Sequence, residues 1–234
     1  WSSDVCSSDL NVSGGTAYGL NAASINGLYS VLPVVQVSGD TTALSNPGLN
    51  LRLIDAMKIT GSGTDVTFGT SGGTQLALAT GMLLSTGANQ SIGNAALVAL
   101  GSAPAIAFGS FPNTNSPAIA TVPSLTSVEG ALLVDTGASL AVNAAMYNTQ
   151  NVMKGLGGEV TFNTKQYFNT GTNYFTILGG TVTLNGGENT LWQGVQGGTA
   201  GQNLAIGPGA TLNLGSNAQM VGRSEEHTSE LQSH

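Results

Sequence analysis

The sequence predicts an all-β fold, a single-stranded parallel β-helix (β-solenoid) with coils of roughly 20–25 residues. Three observations carry that expectation. Glycine recurs every few residues, 34 in all, and each would cost a helix interior roughly 1 kcal/mol relative to alanine. Short segments alternate apolar and polar side chains between Gly and Asn punctuation, as half-buried strands do. Apolar pairs also recur at an offset of 22, Val160 with Phe162 and then Val182 with Leu184. A repeat of that length cannot bury its apolar side alone and is expected to stack on its neighbours.

The two ends read differently from the middle. "RSEEHTSELQSH" at 223–234 back-translates to a stretch that resembles a common short-read sequencing adapter, and "WSSDVCSSDL" at 1–10 resembles its reverse complement in another frame. Both ends are therefore set aside before fold reasoning as adapter artefacts. Residues 11–222 remain as a β-solenoid fragment, expected to continue as the same solenoid at both ends. They hold no Cys and no His, with Arg52, Lys58, Lys154 and Lys165 set against seven carboxylates.

Taken in order, residues 11–50 carry weak periodicity and read as irregular. "YSVLPVVQV" at 29–37 reads as a strand interrupted by Pro33, which has no N–H to give a ladder. Val66 with Phe68, Leu76 with Leu78, Leu83, and Ile106 with Phe108 are looser copies of the inward pattern. Pro104, Pro112, Pro117 and Pro123 mark 103–124 as an excursion from the wall. The clearest repeats fill 130–222. In "EGALLVDTGASLAVNAA" Leu132 and Val134 precede a turn and then Leu140 and Val142. "QNLAIGPGATLNLGSN" repeats this with Leu204 and Ile206, then Leu212 and Leu214, and the paired strands keep the same spacing of 8 in both. Leu204 also falls at an offset of 22 from Val182 and is expected to be its next stacked copy. The spacing implies roughly nine or ten coils. A β-sandwich or jelly roll also uses short strands and glycine turns but needs no regular offset.

From Lys154 onward, "KGLGGEVTFNTKQYFNTGTNYFTILGGTVTLNGGENTL" followed by "LAIGPGATLNLGSNAQMVG" resembles the autotransporter-associated β-strand repeat, whose usual form is near K-T-G-x-G-T-L-T-L-x-G-x-N-T. Lys154, Gly155, Gly157, Val160 and Phe162 match its first half, and Gly180, Val182 and Leu184 its second. "LNLRL" at 49–53 and the 130–145 strand pair are similar to segments that commonly precede it. Glu159 departs from the usual small or hydroxyl residue, and "KQYFNTGTNYF" is an atypical connection. The resemblance implies a secreted passenger region of a large bacterial surface protein, exported through a C-terminal β-barrel. Its place would be extracellular or on the outer cell surface, and its role that of a non-catalytic stalk or adhesin segment.

Composition narrows the chemistry. Four cations in 11–222 neutralise few phosphates, so no nucleic-acid partner is expected. No apolar run approaches the roughly 20 residues of a transmembrane helix. Without His or Cys, a Ser-His-Asp or Cys-His nucleophile and the common zinc sites are excluded from the segment. Paired carboxylates are the remaining enzymatic option, a polysaccharide lyase or hydrolase on the same scaffold. Asp65 and Glu159, each just before an inward valine, are placed on one outward column about four coils or about 20 Å apart, whereas glycosidase pairs need roughly 5–9.5 Å. "RLIDAMK" places Arg52, Asp55 and Lys58 at three-residue spacing, a pattern suited to an acidic sugar but more simply read as a surface ion-pair cluster. "GSGTDVTF" at 61–68 only loosely echoes calcium-binding nonapeptides. No catalytic residue, cofactor or metal is expected.

The candidate binding residues are aromatic. Tyr167, Phe168, Tyr174 and Phe175 crowd one connection and, if exposed, would stack on sugar rings or a partner protein. Alternation would instead bury about half of them. Trp192, beside a glycine turn, reads as the cover of a corner. Glycans or cell-surface proteins are the expected partners.

Overall fold

A computed structural model describes residues 10–12, 15–16, 34–43, 51–68, 75–93, 105–110, 126–148, 150–168, 174–192, 202–219 and 221–226. All regular structure among them is β-strand, gathered in a 14-stranded sheet A and an 8-stranded sheet B. The chain alternates between the two. β1 (Leu10–Val12) lies in A and β2 (Gly15–Thr16) in B, then β3 (Val34–Val37) in A and β4 (Thr41–Ala43) in B. β5 (Leu51–Ile59) and β6 (Asp65–Phe68) repeat the step, as do β7 (Gln75–Ser85) and β8 (Gln90–Ile92). β9 (Ala105–Ser110), β10 (Thr126–Ser127) and β11 (Gly130–Val134) in A then precede β12 (Ser139–Val142) in B. β13 (Ala145–Asn148) and β14 (Val152–Gly155) precede β15 (Glu159–Phe162), and β16 (Gln166–Phe168) and β17 (Phe175–Ile177) precede β18 (Thr181–Leu184). β19 (Leu191–Trp192) and β20 (Gln202–Ile206) precede β21 (Thr211–Asn213), and β22 (Val221–Glu226) returns to A across the boundary expected at residue 222.

Among the described residues every ladder is parallel except β9 with β10. Val160 lies beside Val182 in one sheet, an arrangement foreign to an antiparallel sandwich. Sheet A contains two strand stacks, β9–β13–β16–β19 and β11–β14–β17–β20–β22, joined through β7. The junction is a bend. β5 and β7 pair in register on either side of Asp55, which faces the stretch Ala79–Gly81. Gly81 turns there at φ 73°, where a Cβ would collide with the Glu129 carbonyl oxygen. Past β7 the bend becomes a break, and separate strands serve the two stacks.

The core lies between the sheets and is built from columns of register partners. In sheet B, Leu140, Val160, Val182 and Leu212 form one column, and Val66, Ile92, Val142, Phe162 and Leu184 the next. Val66, Ile92, Val142, Val160, Phe162 and Val182 are wholly buried. Sheet A contributes Met57, Leu83, Leu132, Lys154, Ile177 and Ile206 in a single column. Phe162 meets Phe175 edge-on at 5.9 Å, and Phe175 stacks on Phe168 at 5.6 Å, so three rings tie both stacks of A to B.

The offset of 22 holds for Val160 and Val182, but it does not extend to Leu204. Val182 pairs with Leu212 instead, and Leu204 pairs with Phe175 in sheet A. The spacing of 8 proves the better guide: Leu132 and Leu204 sit in A while Leu140 and Leu212 follow in B. Among the described residues sheet B has eight strands, and the stretches separating them along the chain are of unequal length, longest between β8 and β12. Strand β3 starts directly after Pro33. Of the 103–124 excursion, 105–110 joins the sheet as β9 with Ile106 and Phe108 buried; 111–125 lies outside the described residues.

Candidate functional site

The outward rows of sheet B carry hydroxyl, amide and carboxylate groups. Ser139, Glu159, Thr181 and Thr211 follow one another across the strands, and Ala141, Thr161, Thr183 and Asn213 run beside them. Just past these strands stands an asparagine ladder. Asn163 Nδ2 donates to Asn143 Oδ1 at 2.8 Å and Asn185 Nδ2 donates to Asn163 Oδ1 at 3.0 Å. Each Asn also donates its amide N–H to the carbonyl of the inward residue one strand back, Ile92, Val142 and Phe162 respectively. Identical side chains repeating in a parallel register satisfy one another, the packing logic of stacked strands.

Inside the corners, polar side chains close what the strands leave open. Ser85 Oγ donates to Gln90 Oε1, and Gln90 Nε2 donates to Gly61 O at 2.6 Å. Gln166 accepts from Met146 N at 3.0 Å and donates to Thr164 O at 2.8 Å. Gln219 accepts from Thr190 N at 2.8 Å and donates to Gly187 O at 2.9 Å. Lys154 is fully buried, and its Nζ donates to the carbonyls of Leu156 (2.9 Å), Gly158 (2.5 Å) and Gly179 (2.7 Å). Burial pulls this ammonium down from its ordinary value to about 8. None of these polar groups was singled out by sequence as a structural bond-maker. The signal was available only for the asparagines, each of which directly follows an inward strand residue.

The four aromatic candidates are not brought together as an outer platform. Phe168 and Phe175 are wholly buried in the core, and Tyr167 is 7% exposed. Tyr174 is half-buried and gives its backbone N–H to Asn151 Oδ1 at 3.0 Å. Tyr167 instead stacks on its register partner Tyr147, ring centroids 5.1 Å apart and planes 6° from parallel. The Tyr147 hydroxyl is buried with no hydrogen-bond partner among the described residues. Burial and, secondarily, the neighbouring Tyr167 push the Tyr147 phenol well above its ordinary value, and burial raises Tyr167 as well. Trp192 pairs in register with Tyr167, and its side chain lies outside the described residues. The aromatic segment thus packs the interior, because both faces of β13 and β16 are covered.

The carboxylates stay apart. Asp65 is on β6 and Glu159 on β15, three strand steps away through β8 and β12, or about 14 Å. They also occupy different outward rows, since Asp65 aligns with Ser91 and Glu159 with Ser139. The expected common column and four-coil spacing are both corrected, because 94–104 and 111–129 lengthen the connections between β8 and β12. Asp65 accepts Ser91 Oγ at 2.6 Å, and its N–H donates to Asp40 Oδ1 at 3.1 Å. Asp55 and Lys58 are both half-buried on β5, and the side chain of Arg52 lies outside the described residues. Among the described residues no group of three or more His, Cys, Asp or Glu could hold a metal. No helix among them is long and apolar enough to cross a membrane. No protein-family model, curated protein or solved structure matches the chain.

Proposed function

We propose that the chain is a stretch of single-stranded parallel β-helix serving as a non-catalytic stalk or adhesin segment. Its parent would be a large bacterial secreted or surface protein of autotransporter type, working outside the cell. The observation that carries this is the unbroken parallel register of sheet B from β2 to β21. A ladder of that kind can be lengthened by adding turns, each burying its apolar side on the last. Extension under load then requires breaking backbone bonds several at a time, and the apolar columns and the asparagine ladder resist shear between turns.

The outward Thr, Ser and Asn rows suit prolonged exposure to water with little net charge. Few Lys and Arg residues in 11–222 leave few sites for trypsin-like proteases. The burial of Phe168 and Phe175 moves adhesion away from stacked aromatics toward the connections, 111–125 and 169–174 above all. Glycans or cell-surface proteins are the partners such connections would meet.

A labelled chain applied to a glycan array and to immobilised matrix proteins tests the adhesin half of this reading. Binding that disappears when either connection is shortened supports it; binding indifferent to both deletions counts against it. The non-catalytic half is tested by incubation with acidic and neutral polysaccharides. Release of reducing ends, or of unsaturated uronate absorbing in the ultraviolet, would overturn it in favour of a carbohydrate-active enzyme.

A further inference from the structure

Lys154 occupies a position that its column reserves for apolar side chains: its register partners are Leu132 on one side and Ile177 on the other, both wholly buried. The corner beyond it explains the exception. On earlier passes the residue two further along the strand fills the interior, as Ile59, Ser85 and Val134 do in mutual register. On this pass that residue is Leu156, which stands at φ 66° with its side chain 48% exposed. The volume it vacates is entered by the Lys154 stem, and the ammonium meets three carbonyls at the end of it.

The three acceptors come from two successive turns. Leu156 and Gly158 lie between β14 and β15, and Gly179 lies between β17 and β18. An ammonium has three N–H donors and no acceptor, so three carbonyls match its full complement. Gly180 keeps the space open, for a Cβ there would collide with Lys154 Nζ and with the Gly158 carbonyl oxygen. Asp135 and Glu159, the carboxylates nearest in sequence on the packed elements, are both exposed on the outside. Among the described residues the acceptors that meet the charge are backbone carbonyls.

We propose that Leu156, Gly158 and Gly179 form a built primary-ammonium site, occupied by the chain's own Lys154, which couples two successive turns so that they open as one unit. A methylene chain alone would fill the volume, but only a threefold donor joins both corners. The amides that report this coupling are Leu178, which donates to Lys154 O, and Thr181, which donates to Gly158 O.

The wild-type chain provides a first test. At pH 6 the Lys154 NH3 protons should be seen by 15N-edited NMR as slowly exchanging, unlike those of half-buried Lys58. Exchange as fast as that of Lys58 would overturn the proposal. In Lys154→Met, hydrogen exchange at Leu178 and Thr181 should accelerate by about 10–100-fold, while the Asn143 amide, bonded to Ile92 O, keeps its protection. An equal acceleration at all three sites would reduce Lys154 to general core packing, and none at all would dismiss it. In Lys154→Ala, n-propylammonium supplies the atoms removed and should raise the Tm saturably at pH 7, with propanol and potassium chloride at equal concentration as controls. Equal responses to all three would overturn the claim of ammonium selectivity.

Discussion

Asn163 donates its side-chain amide to Asn143 at 2.8 Å and accepts that of Asn185 at 3.0 Å, so one residue stitches three strands of sheet B. Asn163→Ala removes both bonds and is expected to cost about 1–3 kcal/mol, about twice the cost of Asn185→Ala, which loses the one bond described. Urea denaturation checks the ratio. Equal costs for the two variants would mean that one of the two Asn163 bonds contributes nothing to stability.

Phe175 touches Phe162 and Phe168 at the meeting of both stacks of sheet A with sheet B. Phe175→Ala is expected to destabilise the chain by about 3–5 kcal/mol. Tyr174→Ala, half-buried next to it, should cost under about 1 kcal/mol. Thermal unfolding of the two variants measures the contrast between the core and the edge of the same segment.

The Tyr147 hydroxyl, although buried, has no partner among the described residues. Tyr147→Phe keeps the stack with Tyr167 and removes the orphan, so a gain of about 1 kcal/mol is expected. Loss of stability in this variant would show that the hydroxyl does have a partner in solution.

Two glycines separate backbone strain from crowding. Gly137, at φ 81°, has open space where a Cβ would stand, whereas Gly180, at φ 66°, has the Gly158 carbonyl and Lys154 Nζ. Gly137→Ala should cost about 1 kcal/mol, from conformation alone. Gly180→Ala should cost more, and its excess should shrink in a Lys154→Met background, a double-mutant cycle that reads the contact.

The pH profile follows from two opposing groups. Lys154 titrates near 8 when folded against an ordinary 10.5, so between those values the unfolded chain binds more protons and stability rises with pH. Tyr147 and Tyr167 are raised above 10.0; above that value the folded chain holds protons the unfolded chain has lost, and stability falls. A maximum near pH 10 is expected, as about the crossing of those two ranges. In Lys154→Met the rise should vanish while the fall remains. Urea midpoints across pH 7 to 11 check both limbs.

What the sequence by itself determined is the strand content and the sidedness of its strands. Alternation places Val160, Phe162, Val182 and Leu184 inward without reference to any other part of the chain, because a strand's side chains must point to opposite faces. Glycine density forbids helix on equally local grounds. The offset of 22 also gave the pairing of Val160 with Val182, but the tertiary structure decided which strands are neighbours elsewhere. Leu204 keeps the same offset from Val182 that Val182 keeps from Val160, yet it pairs with Phe175. Connections of unequal length reset the register, and a periodic count cannot see how much chain a connection consumes. The tertiary structure also decided the fate of the polar and aromatic residues. Nothing in the sequence marks Lys154 as interior, and alternation leaves Tyr167 and Phe168 divided between a binding surface and burial. Burial on both faces of β16, and three carbonyls converging from two turns, are properties of stacked strands that no single stretch contains.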